Sequence, residues 1–453
     1  VYRHKFLRGS NGAELAALFE YKETAMLRKE VNELLTQTDR GTPMGELFRQ
    51  YWLPALLASE LPENDCPPVR VKLLGEPMIA FRDTDGNYGL IEEFCAHRRV
   101  SLWFGRVEEH GIRCPYHGWK YNHTGQCIEV PSEPEESGYC QSIKLQGYPL
   151  IKVGDILWTH MGDPENRPPE PEWEFCTVMP EQTFTSKRLQ YSNWLQAMEG
   201  GIDSSHVSFL HGKGLTTDPL FKGSKGNEYN LNDFKPIFEV EPSEGGLFIG
   251  ARRNAEEGRY YWRITQFVVP TFTMIPPRGD HPQHGHFWVP IDDENCWAWS
   301  YDYHPTRALS DRERQNLVDG HGIHNEYVPG TFIPLQNRDN DYLMDREAQK
   351  KGIYYSGIKG IAMQDASLQE SMGPICDRTR ENLVSTDNGI IMARNLLRRA
   401  ATDLEKKGKT PPGVDPEHHH VRSVAAVLEP EEKYAVALAD ALRSAPGKER
   451  MSV

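Results

Sequence analysis

The sequence predicts an α+β protein in two parts: a small β-rich module, then an antiparallel sheet carrying helices. Three observations predict it. From Val69 the apolar residues alternate with period two and lead into two Cys/His knuckles. Between 236 and 303 lie five strand-like runs separated by turn residues. Helix signals stand on either side of that tract. The 453 residues are enough for two or three domains and a large core.

The totals exclude several classes. A net charge of −14, with no basic run, argues against nucleic acid. No apolar run is long enough to span a bilayer. The eight cysteines are scattered and no secretory signal precedes them, so reduced thiols and a cytoplasmic location are expected. Residues 1–25 read as a leader or a segment foreign to the natural chain, and Met26 as a plausible start.

In chain order, 26–60 reads as an N-terminal helical segment. Thr42 is an N-cap with Pro43 at the first helical position. Leu47, Phe48, Tyr51 and Trp52 form its buried stripe, and Pro54 ends it. Val69, Val71 and Leu73 alternate, as do Met78 and Ala80, and Asp85-Gly86-Asn87 marks a hairpin.

Cys95-x-His97 follows, and after sixteen residues Cys114-x2-His117. Such a set can hold a structural zinc or a Rieske [2Fe–2S] cluster, in which two thiolates take one iron and two imidazoles the other. The order favours the cluster: each loop supplies one Cys and one His, so each reaches both irons. Neutral imidazoles raise the potential to roughly −150 to +300 mV. Cys127 and Cys140 read as ordinary buried thiols. The module runs over 61–165, and a Pro- and acid-rich linker is expected near 162–173.

Asn193–His211 is the centre of the second part, assigned to 174–400. Asp203 and His206 are three apart, on one side of a helix. His206 and His211 are five apart, which a straight helix splays by roughly 140°. The helix must therefore end, kink or bulge there, beside a loosening Gly200-Gly201 pair. Two His and one carboxylate suit mononuclear iron with an open face.

A lid-like loop is expected over 211–236. The strands PIFEVE, GLFIGAR, YYWRITQFVVP, HGHFWVPI and CWAWSYDY come next, with Trp297, Trp299 and Tyr301 packing one face on a helix layer. Ser310–Arg314 is helical in flavour, and a long helix follows Ser385-Thr386-Asp387. Residues 401–453 read as a C-terminal extension with an Ala-rich helix from about Pro430, and His418, His419 and His420 as solvated.

Together, C-x-H-x16-C-x2-H, its CPYHGW surroundings, the downstream D-x2-H-x4-H and the later QDASLQESMGPICDR resemble the large (alpha) subunit of Rieske non-haem iron aromatic-ring-hydroxylating oxygenases, in the phthalate dioxygenase-like branch. The resemblance covers Gly41 to about Arg399. It implies a Rieske domain carrying its cluster on Cys95, His97, Cys114 and His117, then a helix-grip catalytic domain. It implies Fe(II) on His206, His211 and a late carboxylate. Asp365 matches the family position and Glu370 is the fallback; spacing alone does not separate Asp365 from other acids. Asp203 then bridges His206 to a cluster histidine of a neighbouring subunit, which implies a homotrimer. Asn193 and Gln196, on turns before Asp203, are expected to line the site.

The implied activity is that of a terminal oxygenase. A flavin/[2Fe–2S] reductase or a ferredoxin supplies electrons, and O2 is used to hydroxylate a phthalate- or benzoate-like aromatic carboxylate. Arg252, Arg253, Arg263 and Lys213 are candidate carboxylate partners. No arginine occurs between Arg188 and Arg252, where phthalate-type members are expected to place a clamp. That departure points away from phthalate itself and makes an O-demethylase of a methoxylated lignin-derived acid the alternative. From other classes, a Rieske electron carrier leaves the second motif idle, and a zinc-stabilised binding module predicts a colourless protein.

Overall fold

The computed structural model describes residues 27–445 and 447–453; the expected leader at 1–25 lies outside them. Two helices come first among the described residues, α1 (Lys29–Thr36) and α2 (Pro43–Phe48). Thr42 Oγ1 accepts the Gly45 N–H at 3.1 Å, the cap its position predicts. The helix is shorter than expected: Trp52 already opens strand β1 (Trp52–Leu57). Pro54 sits inside that strand, at a register shift that accommodates its missing N–H.

The β-rich module contains β2 (Val69–Leu73), β3 (Glu76–Arg82), β4 (Tyr88–Glu92), β5 (Arg106–Glu108), β6 (Gly111–Arg113), β7 (Lys120–Tyr121), β8 (Cys127–Glu129) and β9 (Gly147–Tyr148). They form two four-stranded sheets, β2-β3-β4-β9 and β5-β6-β7-β8. Strand β3 alternates between two cores. Met78 and Ala80 face the main core of the protein, whereas Ile79 and Phe81 join Ile91, Leu102, Ile112 and Tyr121 in a separate core under the Cys/His loops. Strands β10 (Leu150–Val153) and β11 (Ile156–His160) pair with β1 in a third sheet. The expected linker is pinned rather than free, since Trp173 is 5% exposed and stacks on Phe272 at 4.0 Å.

The large sheet holds β12 (Thr183–Gln190), β13 (Ile237–Pro242), β14 (Gly246–Asn254), β15 (Tyr260–Val268), β16 (Phe272–Ile275), β17 (Gln283–Pro290), β18 (Cys296–Tyr303) and β19 (Val424–Leu428). Its order is β12-β18-β17-β16-β15-β14-β13, with β19 on β15, all antiparallel. Five of these strands are the predicted ones; β12, β16 and β19 are additions. Residues 401–453 are therefore not an appendage, because Tyr260–Ile264 pair with Val424–Leu428. The Ala-rich helix reduces to one turn, Tyr434–Ala437. His419 is buried, not solvated, and stacks on Trp173 at 4.0 Å.

Six further helices place the site: α3 (Trp194–Ile202), α4 (Val207–Leu210), α5 (Gly212–Thr217), α6 (Lys225–Asn232), α7 (Asp311–Val318) and α8 (Ile361–Ser371). The expected lid loop is thus largely helical. A seventh, α9 (Asn388–Lys407), crosses α2 and the β13–β14 edge.

The sheet has two unlike faces. Phe287, Trp299 and Tyr301 share the aromatic one, which meets Trp158 of β11 and Phe175 rather than a helix layer. The opposite face carries Ser186, Arg188, His284, His286, Ser300 and Asp302, and α3 lies on that side, against Thr273 and Trp288. Among the described residues no helix is long and apolar enough to cross a membrane.

Candidate active site

The first constellation sits on two hairpin loops, 94–101 and 114–119. The two thiols point inward and the two imidazoles outward: Cys95 and Cys114 are 1% and 2% exposed, while His97 and His117 are solvent-exposed. The imidazole rings lie 4.4 Å apart, and Trp119 stacks flat on His97 at 4.7 Å. Gly118 has φ 79°, and a Cβ there would come 2.9 Å from Pro131, so the turn requires glycine. The Tyr121 hydroxyl accepts the Ala96 N–H at 3.1 Å and lies 3.2 Å from Cys95 Sγ. The hydrogen bond between the two sulfurs draws the Cys95 thiol down against the opposing effect of burial and holds Cys114 up. Two adjacent buried sulfurs, with two exposed imidazoles above, fit a [2Fe–2S] cluster with sulfur ligands on one iron and nitrogen ligands on the other.

The second constellation forms where α3 stops. The helix ends at Ile202 and Asp203 takes extended backbone angles. Asp203 and His206 therefore do not share a helix as the spacing suggested. Instead Asp203 Oδ1 accepts the Ser205 N–H at 2.6 Å, and Oδ2 lies 3.1 Å from His206 Nδ1. His206 starts the single turn α4 and His211 closes it, which brings residues five apart together: their Nε2 atoms are 3.2 Å apart. Asp365, on α8, places Oδ1 3.0 Å from His211 Nε2 and 3.5 Å from His206 Nε2. His211 Nδ1 meets Gln364 Oε1 at 2.8 Å, and Gln364 donates onward to the Ile358 carbonyl.

Each imidazole is thus oriented through Nδ1 and presents Nε2 to the same point. The three ligand atoms lie within 4.8 Å of one another. Two nitrogens and one oxygen converging this closely fit an iron of the two-His-one-carboxylate type. Burial pushes the Asp203 carboxyl up, but the His206 ring and Ser205 outweigh it and hold it at about 2.

Gly200 and Gly201 serve close approach rather than looseness. A Cβ on Gly200 would fall 2.1 Å from Gln369 Nε2, and one on Gly201 3.0 Å from Thr273 Oγ1. Glu370 is not in the metal group; it accepts from Tyr342 and from the Tyr191 N–H. Asn193 does not line the cavity either. It caps α3 through the Leu195 N–H and clamps the Thr36 and Asp293 carbonyls, fully buried. Gln196 is likewise spent on the Gln369 and Gly373 carbonyls.

The metal group opens on a cavity against the polar face of the sheet. Of the expected cations only Arg263 reaches it. Arg252 lies over the Tyr260 ring, Lys213 is exposed on α5, and Arg253 braces the Ser204 carbonyl at 2.7 Å. Sequence reading missed Arg188 and Arg278, which also line the cavity, and His284 and His286. Alternation in HGHFWVP carried the signal for the two histidines, since Phe287 belongs to the opposite, aromatic face. The cavity's cations come from β12, β15 and the 276–282 turn.

These guanidinium groups are buried with N–H groups to spare. Arg263 is 1% exposed and its Nε and Nη1 have no partner. Arg188 Nε and Nη1 and Arg278 Nε are also unpartnered. Burial pushes Arg278 down to about 9, and the charge of Arg263 acts in the same direction. Buried donors of this kind call for an anion.

Residues 51–149 match the Rieske [2Fe-2S] domain, and residues 159–445, most of the chain, match the LigXa C-terminal domain like family. The chain belongs to the Rieske-type oxygenases.

It is 36% identical over 404 residues to the 3-chlorobenzoate-3,4-dioxygenase oxygenase subunit of Comamonas testosteroni, covering 85% of this chain and 91% of that one. To the phthalate 4,5-dioxygenase oxygenase subunit of Pseudomonas putida it is 35% identical, covering 82% and 85%. The 5,5'-dehydrodivanillate O-demethylase oxygenase subunit of Sphingobium sp. is 30% identical, covering 86% and 84%. The fold is also that of dicamba monooxygenase bound to dicamba (TM-score 0.54, 16% identity, 79% of this chain and 98% of that one). The protein is therefore an oxygenase subunit of the phthalate-like branch. Its cofactors are a Rieske [2Fe–2S] cluster and a mononuclear iron. It works with a separate electron-transfer partner, an aromatic substrate and O2. An electron carrier alone would have no use for the second domain.

Proposed function

We propose that this oxygenase hydroxylates an aromatic carboxylate, phthalate- or benzoate-like, with Arg263 and Arg278 as its carboxylate anchor. The observation that carries the reading is a cavity with a convergent metal triad and several buried, unpartnered guanidinium nitrogens. In this reading Cys95, His97, Cys114 and His117 hold the cluster, and His206, His211 and Asp365 hold the iron. The cluster supplies electrons one at a time and the iron supplies the activation of O2. The chain's own part is positioning. Asp203 and Gln364 fix the two imidazoles, and Arg263 and Arg278 fix the substrate's anionic end.

The relatives that act on 3-chlorobenzoate and phthalate support an acidic aromatic substrate. The cluster domain is assigned to 61–165. The catalytic domain starts at 174 and takes in β19, extending the expected limit at 400. Asp203 is assigned the bridge from His206 to a cluster histidine of a neighbouring copy, in a homotrimer. A flavin/[2Fe–2S] reductase or a ferredoxin is the assigned electron donor. The test is reductase-driven turnover over phthalates, benzoates and methoxybenzoates. Hydroxylated acids are the expected products. Formaldehyde from methoxybenzoates alone would replace the reading with O-demethylation, and turnover confined to neutral aromatics would refute the carboxylate anchor.

A further inference from the structure

Two thiols beside the cluster take no part in the chemistry above. Cys127 opens β8 and Cys140 lies on the one-turn helix Tyr139–Ser142, yet their sulfurs are 3.5 Å apart. Backbone bonds hold the two segments together. The Cys127 N–H donates to the Ile143 carbonyl at 3.0 Å, and the Ile143 N–H to the Cys140 carbonyl at 3.2 Å. Cys127 is buried and Cys140 half-buried, so one sulfur is sheltered and the other reachable. Sequence spacing gave no hint of this contact, because it depends on the return of the chain after β8.

The same helix touches the cluster's surroundings. Tyr139 sets its ring edge against Trp119 at 5.9 Å, and Trp119 stacks on His97. A disulfide needs a sulfur separation of about 2.05 Å, so closing this pair draws the helix inward by up to about 1.5 Å. The ring contacts of Tyr139 with Trp119, and of Trp119 with His97, give such a displacement a route to His97.

We propose that Cys127 and Cys140 form a reversible disulfide under peroxide, and that its closure is felt at His97. The reaction balances as two thiols and one hydrogen peroxide giving one disulfide and two waters. The Cys140 sulfur attacks the peroxide, breaking the O–O bond, becoming a sulfenic acid and releasing the first water. The Cys127 sulfur then displaces the hydroxyl, which leaves as the second water with the Cys127 proton. Burial pushes the Cys127 thiol up to about 12, in keeping with its entering second and as a thiol. Disulfide formation needs neither substrate nor iron turnover; only its effect at His97 rests on the cluster assignment above.

The test uses the cluster-loaded oxygenase and a few equivalents of hydrogen peroxide, followed by alkylation of remaining thiols and peptide mapping. A Cys127–Cys140 cross-linked peptide is expected, lost on dithiothreitol treatment. The visible circular dichroism of the cluster is expected to shift on oxidation and to return on reduction. Cys140→Ser, a small change at a half-buried site, should abolish both the cross-link and the shift under the same treatment. Absence of the cross-link in the unaltered protein overturns the site. A cross-link with unchanged circular dichroism, or a shift that persists in Cys140→Ser, overturns the coupling to His97.

Discussion

The Asp203 carboxylate and the His206 ring meet at 3.1 Å through Nδ1, and this contact leaves His206 Nε2 facing Asp365. Asp203 is thus one bond removed from the metal group and lies at the break between α3 and α4. Asp203→Asn should keep both cofactors, because no cofactor-binding atom is altered. Turnover should fall by about 10–100-fold or more, as oriented partners of metal ligands commonly show. Iron and sulfide analysis beside steady-state rates checks this. Full turnover in the variant would remove Asp203 from the electron path.

Arg263 presents two buried nitrogens without partners to the cavity. Arg263→Gln should raise KM for an aromatic carboxylate by about thirtyfold or more, since losing one member of a buried charge pair costs about 2–5 kcal/mol. The neutral amide of the same acid should be little affected. Equal losses for both compounds would mean that Arg263 shapes the wall rather than binding charge.

Tyr121 places its hydroxyl at the Cys95 sulfur. Hydrogen bonds to cluster sulfurs favour the reduced, more electron-rich state. Tyr121→Phe should therefore lower the cluster's midpoint potential without loss of iron, read by spectroelectrochemical titration. An unchanged potential would restrict that hydroxyl to holding the Ala96 N–H.

Buried histidines contribute to the acid sensitivity of the fold. Burial holds His286 and His419 at about 3 and His284 well below the ordinary range. Each stays neutral when folded and takes up a proton when unfolded below pH about 6.5. Their contribution is intact above that pH and is lost as pH falls toward the folded values. Each histidine costs about 1.4 kcal/mol per pH unit across this window. Denaturant unfolding of the metal-free protein between pH 6.5 and 4.5 should show the decline; a flat profile would contradict it.

The sequence was most legible where one side chain in two meets a core. CWAWSYDY alternates because Trp299 and Tyr301 meet the aromatic core, while in GLFIGAR and YYWRITQFVVP Phe248, Trp262 and Ile264 pack on the C-terminal segment around Val424, Ala426 and Tyr434. TFTSKRLQ escaped notice as β12 because its other face carries Ser186 and Arg188 into the polar side of the sheet, which blurs the apolar signal. VAAVL is short and built of small residues, and only its pairing with β15 makes it a strand. The Cys/His loops and the pair His206 and His211 are local in sequence and could be read there. Asp365 became identifiable only through resemblance, and the cavity arginines only through the fold, because α8, β12, β15 and the 276–282 turn meet in space alone. Asn193 misled because an N-cap and a site residue look alike in a string of letters.

The pairing of β19 with β15 has a manufacturing consequence. Arg263 lies opposite Ala425 in that ladder, so the tail supports the strand that carries the cavity's cation. A protein shortened before Val424 would leave the Tyr260–Ile264 side of the sheet as an uncovered edge, able to recruit strands from other molecules. Such a product should precipitate while its cluster domain remains coloured, and supplying the missing peptide in trans should rescue its solubility.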